Sequence, residues 1–160
     1  MYARIVRREG GKWGVAAALL LSAVGVAGAA EWRPVTTELL ATTKPGYGGL
    51  SGVVVDRRSG HVYVDVSDRG IYRSTDQGGS WQRLGAEFKG RTEWPGCLMI
   101  DPLGDGKRML IATVYGVPVA RGTTEGDWKF ADKKSSHVDW CAVDWSDPEM
   151  RFLLALKHES

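Results

Sequence analysis

The chain has 160 residues, of which 25% are charged and 43% hydrophobic, and it carries a formal net charge of +2 at pH 7. No Lys/Arg cluster stands out in so balanced a composition, which excludes a nucleic-acid footprint and leaves a polyanion or membrane-surface role without support. Two cysteines and no spaced histidine pair argue against a metal site.

Residues 1–30 read as a targeting segment. Arg4, Arg7, Arg8 and Lys12 precede an apolar run from Val15 to Val26, and Ala27-Gly28-Ala29-Ala30 closes it. Basic, apolar and small residues in that order make a secretory signal peptide, cut after Ala29 or Ala30. The run is too short for a comfortable membrane span. Glu9-Gly10-Gly11 lacks the apolar residues usual behind a twin-arginine pair, so general secretion is favoured. The expectation is a secreted or periplasmic protein with no membrane span after cleavage. Its remaining 17 Lys plus Arg and 18 Asp plus Glu leave it near neutral, at −1.

Past the leader, apolar residues fall in short β-rich runs separated by Gly, Asp, Ser and Pro, without a 3.6-residue period, and the chain reads as all-β. The runs repeat. Gly52-Val53-Val54-Val55-Asp56 returns as Cys97-Leu98-Met99-Ile100-Asp101 after 45 residues, and as Trp140-Cys141-Ala142-Val143-Asp144 after a further 43. A polar turn follows each, at 57–60, 102–106 and 145–148, and then a second strand at 61–66, 108–113 and 152–156. In the first two units Gly70 or Gly116 introduces a third strand, at 71–74 or 117–121, and a fourth begins at Trp81 or Trp128. Four short strands in about 45 residues is the arithmetic of a propeller blade.

Ser74-Thr75-Asp76-Gln77-Gly78-Gly79-Ser80-Trp81 occupies the turn before the fourth strand of the first unit. Asp76 can accept hydrogen bonds from the turn's own N–H groups, Gly78 or Gly79 supplies positive φ, and Trp81 lays its ring over the turn. The pattern Ser-x-Asp-x-Gly-x-x-Trp resembles the Asp-box, or BNR repeat, of β-propeller proteins. The resemblance covers residues 48–156 and implies four-stranded antiparallel blades. Residues 48–90 would be blade one, 91–134 blade two with a degenerate box at Gly122-Thr123-Thr124-Glu125-Gly126-Asp127-Trp128, and 135–160 the start of blade three. Residues 31–47 would be an N-terminal strand and linker, with Trp32-Arg33-Pro34-Val35-Thr36 resembling the lone strand that completes the final blade of such rings. About two and a half blades are fewer than the four to eight of a closed ring. The expected fold is therefore a partial β-propeller, a piece of a longer one, with assembly of copies into a ring as the alternative.

Ser74, Asp76, Gly78 and Trp81 are read as structural, because Asp-box turns in this family lie on the rim, away from the channel where ligands bind. Asp56, Asp101 and Asp144 recur at the end of the first strand and are read as turn caps, and Asp68 as part of a turn. Cys97 and Cys141 lie four and three positions before their aspartates, hence on opposite faces of consecutive inner strands, and those are the faces that meet. Secretion permits a disulfide there, with about 4 kcal/mol of loop entropy behind it, but two buried free thiols are the favoured reading. Loops 91–96 and 135–140 lead into inner strands, and in a propeller such loops converge on the channel mouth. Trp94 or Trp140 as a stacking platform, with Glu93 or Asp139 as acceptor or acid/base group, would suit a carbohydrate. The plainer alternative is a surface loop whose Trp packs between blades. His137 takes no role, no catalytic residue is assigned, and no cofactor is implied.

Asp-box propellers include sialidases, xyloglucanase-type glycoside hydrolases, sortilin-like receptors and photosystem II assembly-factor-like proteins, so the fold leaves function open. Arg33-Pro34 lacks the Ile of the sialidase Arg-Ile-Pro motif, and no inner strand presents a matching arginine cluster. Asp68 precedes Arg69-Gly70 where the xyloglucanase-type catalytic Asp precedes Gly-Gly. The expectation is a non-catalytic module that binds or assembles with a protein or glycan. The alternative is the N-terminal part of a glycoside hydrolase, xyloglucanase-type before sialidase.

Overall fold

The computed structural model describes residues 32–85, 90–92, 97–116, 119–132, 137–151 and 153–157. The expected signal peptide, Glu93 and Trp94 lie outside the described residues.

A short helix, α1 (Thr37–Thr43), precedes β1 (Gly52–Val55), β2 (Val62–Val66), a 3-10 turn (Ser67–Arg69), β3 (Gly70–Ser74) and β4 (Gln82–Leu84). The strands form one antiparallel sheet in the order β1-β2-β3-β4. After β5 (Gly90–Arg91) the pattern returns. β6 (Leu98–Ile100), β7 (Arg108–Ala112), β9 (Val119–Thr123) and β10 (Lys129–Asp132) make a second four-stranded antiparallel sheet. The intervening β8 (Tyr115–Gly116) pairs instead with β5. β11 (Val138–Val143) and β12 (Leu153–Lys157) form an antiparallel hairpin. The protein is mostly β, in two successive sheets of the same topology.

One helix departs from the all-β expectation. Trp32, Arg33 and Pro34 form no strand, and Val35 and Thr36 bend into α1. The helix is held by tertiary contact, since Leu39 is buried against Val64 and Val66. It stops where Lys44 turns left-handed at φ 45° and donates its N–H to the Leu40 carbonyl at 2.9 Å.

Alternation along the strands decides which face meets which neighbour. From the first sheet, Tyr63, Ile71 and Leu84 pack against Leu98, Met109, Ile111 and Ala120 of the second. The opposite face of the second sheet, with Cys97, Leu110, Ala112 and Val119, packs against Val138 and Cys141 of the hairpin. Each fully buried aliphatic side chain in these layers contributes about 1.5–3 kcal/mol. In the repeat register, Val53 and Val55 correspond to Leu98 and Ile100, and these to Cys141 and Val143. The second and third pairs face the preceding unit.

At the turn end of the strands, carboxylates repeat as anticipated. Asp56 accepts the Arg58 N–H at 3.0 Å, Asp101 the Leu103 N–H at 2.8 Å, and Asp144 the Ser146 N–H at 2.9 Å. Arginines tie successive units together here. Arg58 donates to the carbonyls of Pro102 and Leu103 at 3.4 and 3.2 Å. Arg108 holds the buried Asp101 through Nε and Nη2 at 2.8 and 2.7 Å, and donates to the Asp147 and Trp145 carbonyls at 2.7 and 2.5 Å.

Candidate functional site

The octapeptide turn is closed by its own side chains. Ser74, 1% exposed, donates its hydroxyl to Asp76 Oδ1 at 2.8 Å and accepts the Gly78 N–H at 2.7 Å. Asp76 further accepts the Ser80 N–H at 2.8 Å and the Ser80 hydroxyl at 2.7 Å. The hydroxyl and amide of Ser80, with Ser74, hold the Asp76 carboxyl down at about 2. Gln77 and Gly78 both have positive φ, 58° and 89°, and a Cβ on Gly79 would sit 3.0 Å from the Asp76 carboxylate. Trp81 packs against the cluster of Leu39, Val64 and Val66, and donates its indole N–H to the Val35 carbonyl at 3.2 Å. Both oxygens of the Asp76 carboxylate are used within the turn, so the motif organises the strand pair.

The counterpart turn in the second sheet is reduced, with some of its side-chain bonding kept. Thr123 accepts the Glu125 N–H at 3.2 Å and donates to Asp127 at 3.3 Å. Trp128 packs on the core between the sheets, and a Cβ on Gly122 would come within 2.5 Å of its ring.

Polar groups gather at the opposite end of the strands, where the segments leading into the inner strands meet. Asp65 on β2 is fully buried, and its Oδ2 accepts the Ser51 hydroxyl at 2.6 Å and the Thr92 N–H at 3.2 Å. Thr92 returns a hydroxyl bond to the Ser51 carbonyl. Asp65 Oδ1 has no hydrogen-bond partner among the described residues. Burial pushes this carboxyl up to about 7, against the opposing pull of Ser51 and Thr92. The stitching continues into the next units: Val114 donates to the Arg91 carbonyl at 2.8 Å, His137 to the Val114 carbonyl at 3.1 Å, and Val138 to the Thr113 carbonyl at 3.2 Å.

Above this seam lies a more open group. The Arg91 guanidinium stands 4.5 Å from the ring centroid of Tyr47, which is 82% exposed. Ser67 donates to the Tyr47 carbonyl at 2.6 Å, and Asp68 accepts the Gly46 N–H at 2.8 Å and pairs with Arg69 at 2.8 Å. An exposed ring, a cation and a carboxylate brought together by the fold form a surface suited to a polar, ring-bearing ligand. A groove of about 610 Å³ lies elsewhere, between α1 and the octapeptide turn, lined by Leu39, Tyr72, Gly78 and Trp81 among others.

The sequence-derived candidates are only partly brought together. Asp139 and Trp140 belong to strand β11 itself, not to a loop leading into it. Asp139 is half-buried, its carbonyl accepts the Cys97 thiol at 2.8 Å, and Trp140 is 41% exposed on the face away from Cys141. Cys97 and Cys141 share one core cluster as free thiols, and burial followed by the neighbouring Cys97 pushes the Cys141 thiol up to about 12. Tyr47, Asp65 and Arg91 were not singled out in the sequence. Asp65 has a legible signal, a lone carboxylate inside the apolar strand Val62-Tyr63-Val64-Asp65-Val66.

Among the described residues no group of three or more His, Cys, Asp or Glu is placed to hold a metal, and no helix is long and apolar enough to cross a membrane. No protein-family model matches the chain, and neither a curated protein nor a solved structure matches it.

Proposed function

We propose that the chain is part of a secreted or periplasmic Asp-box β-propeller that binds a glycan or a protein at the lead-in end of its blades without turning it over. The observation that carries this reading is the seam from Ser51 and Asp65 through Thr92 and Val114 to His137. It gathers the lead-in segments of three successive repeats at one end, as a channel mouth requires, and Tyr47 and Arg91 stand beside it. The closed turn around Asp76 supports the structural role of the Asp-box. Two successive four-stranded sheets of identical topology support the blades.

One observation favours glycoside hydrolysis as the second reading, the Asp65 carboxyl raised to about 7, in the range of a general acid. Its complete burial beneath Ser51 and Thr92 keeps substrate away from it and ranks this reading second. The test is binding of xyloglucan and sialylated oligosaccharides, and release of reducing sugar or sialic acid, by the purified protein. Glycan binding weakened at least about tenfold by Tyr47→Ala, as expected for a lost stacking platform, with no sugar released, supports the binding reading. Sugar release abolished by Asp65→Asn would establish the enzyme.

A further inference from the structure

The segment that leads into β1 is fastened differently from the one that leads into β6. Three consecutive side chains hold its main chain. Arg69 donates Nε to the Thr43 carbonyl at 2.8 Å and Nη2 to the Lys44 carbonyl at 2.9 Å, Asp68 accepts the Gly46 N–H at 2.8 Å, and Ser67 donates its hydroxyl to the Tyr47 carbonyl at 2.6 Å. The Arg69–Asp68 ion pair at 2.8 Å couples two of these holds.

The second unit fastens its lead-in segment by main chain. Its strand β7 matches β2, so Thr113-Val114-Tyr115-Gly116 stands where the first unit has Ser67-Asp68-Arg69-Gly70. There β8 pairs with β5 in an antiparallel ladder, and the Val114 N–H donates to the Arg91 carbonyl at 2.8 Å. Fastening such a segment therefore requires neither a carboxylate nor a guanidinium. The first unit also sets Ser67 at φ 34°, a left-handed conformation that few serines take. A charged, strained solution where the repeat has a plain one points to a role beyond holding the fold.

What the fastening delivers is Tyr47. The Arg91 side chain passes against Gly48, where a Cβ would collide with its Cδ, and its guanidinium ends 4.5 Å from the Tyr47 ring centroid. Gly48 at φ 107° and Gly49 at φ 55° follow the tyrosine, and glycine leaves the backbone its widest choice of conformation. The ring's place over the guanidinium therefore depends on the hold at residues 43–47. We propose that Asp68 and Arg69 are positioning residues for the Tyr47–Arg91 surface, fixing that main chain so that the ring stands over the guanidinium before a ligand arrives. The inference rests on the reading of this surface as a ligand site and names the pair that presets it. Preorganisation of this kind raises affinity by removing an ordering cost from the binding step.

Nuclear magnetic resonance of the purified protein reads the place of the ring without any ligand. The Arg91 side-chain protons should carry an upfield ring-current displacement, assigned by its loss in Tyr47→Ala. Arg69→Ala and Asp68→Ala are each expected to remove at least half of it, and Arg69→Lys, which lacks the fork that reaches two carbonyls at once, to restore only part. Circular dichroism checks the fold, and Asp68→Ala, at a side chain 46% exposed, decides alone if Arg69→Ala unfolds. A displacement kept in full in the folded variants overturns the inference. Toward xyloglucan and sialylated oligosaccharides, the same variants are expected to bind at least about fivefold more weakly than the unsubstituted protein. Unchanged affinity with the displacement lost overturns the inference as well. A protein that binds neither sugar, yet loses the displacement in both variants, removes the glycan reading and upholds the positioning role.

Discussion

Asp65 accepts the Thr92 N–H at 3.2 Å across the junction between the first sheet and the segment that leads into the second, while its other carboxylate oxygen has no partner among the described residues. The folded protein therefore holds a proton there that an unfolded chain would release. With the carboxyl raised to about 7 from an ordinary value of 3.8, the folded state binds more protons between those limits. The contribution is fully present below the unfolded value and is lost as pH rises toward about 7. An upper bound is about 4 kcal/mol. The expected outcome is a thermal midpoint that falls from about pH 5 to about pH 8, and a slope largely removed in Asp65→Asn. Asp76 and Asp147, both held down at about 2, act in the opposite sense. Their contribution is lost only as pH falls below the ordinary carboxylate range, outside this window.

Ser74 carries the octapeptide turn more than its exposed partners do. Ser74→Ala leaves the Gly78 N–H without its 2.7 Å acceptor and is expected to cost about 1–2 kcal/mol in urea unfolding. Thr123→Ala, in the reduced counterpart with bonds of 3.2 and 3.3 Å, is expected to cost under about 0.5 kcal/mol. Equal costs would deny the ranking.

Arg108 neutralises a carboxylate that has no exposed side-chain surface and bridges the second sheet to the hairpin. Arg108→Ala strands Asp101 and is expected to destabilise by about 3–5 kcal/mol. Lysine has no planar fork with which to reach Asp101 and two carbonyls together, so Arg108→Lys should recover less than half of that loss. Equilibrium denaturation of the three proteins reads both differences.

Cys97 and Cys141 are expected to resist alkylation in the folded protein at about pH 8, since both are buried away from the reagent, and burial also suppresses the Cys141 thiolate. Both should titrate once the protein is unfolded in denaturant. A disulfide between them would leave no thiol to titrate even then.

The strands were legible to within a residue or two because the pattern repeats. The match of residues 52–56 to 97–101 and 140–144 locates the inner strands β1, β6 and β11, and the facing argument places both cysteines in one layer. Helix α1 was not legible. Its seven residues, Thr-Glu-Leu-Leu-Ala-Thr-Thr, are rich in a β-branched residue of poor helix propensity, and Leu39 recruits them through a contact remote in sequence. The polar run at 133–136 hides the start of β11, so Val138 and Asp139 read as loop although β11 begins at Val138. Tyr47 and Arg91 lie 44 residues apart, and only folding sets the guanidinium against the ring.

The first two sheets are fastened at both extremities, by Asp65 and Thr92 at one and by Arg58 on Pro102 and Leu103 at the other. In mechanical terms they form a panel riveted along two opposite edges, with the shear load shared. Stretching in an optical trap should part the two sheets in a single rip, and Arg58→Ala should turn that rip into a gradual peel from the loosened edge.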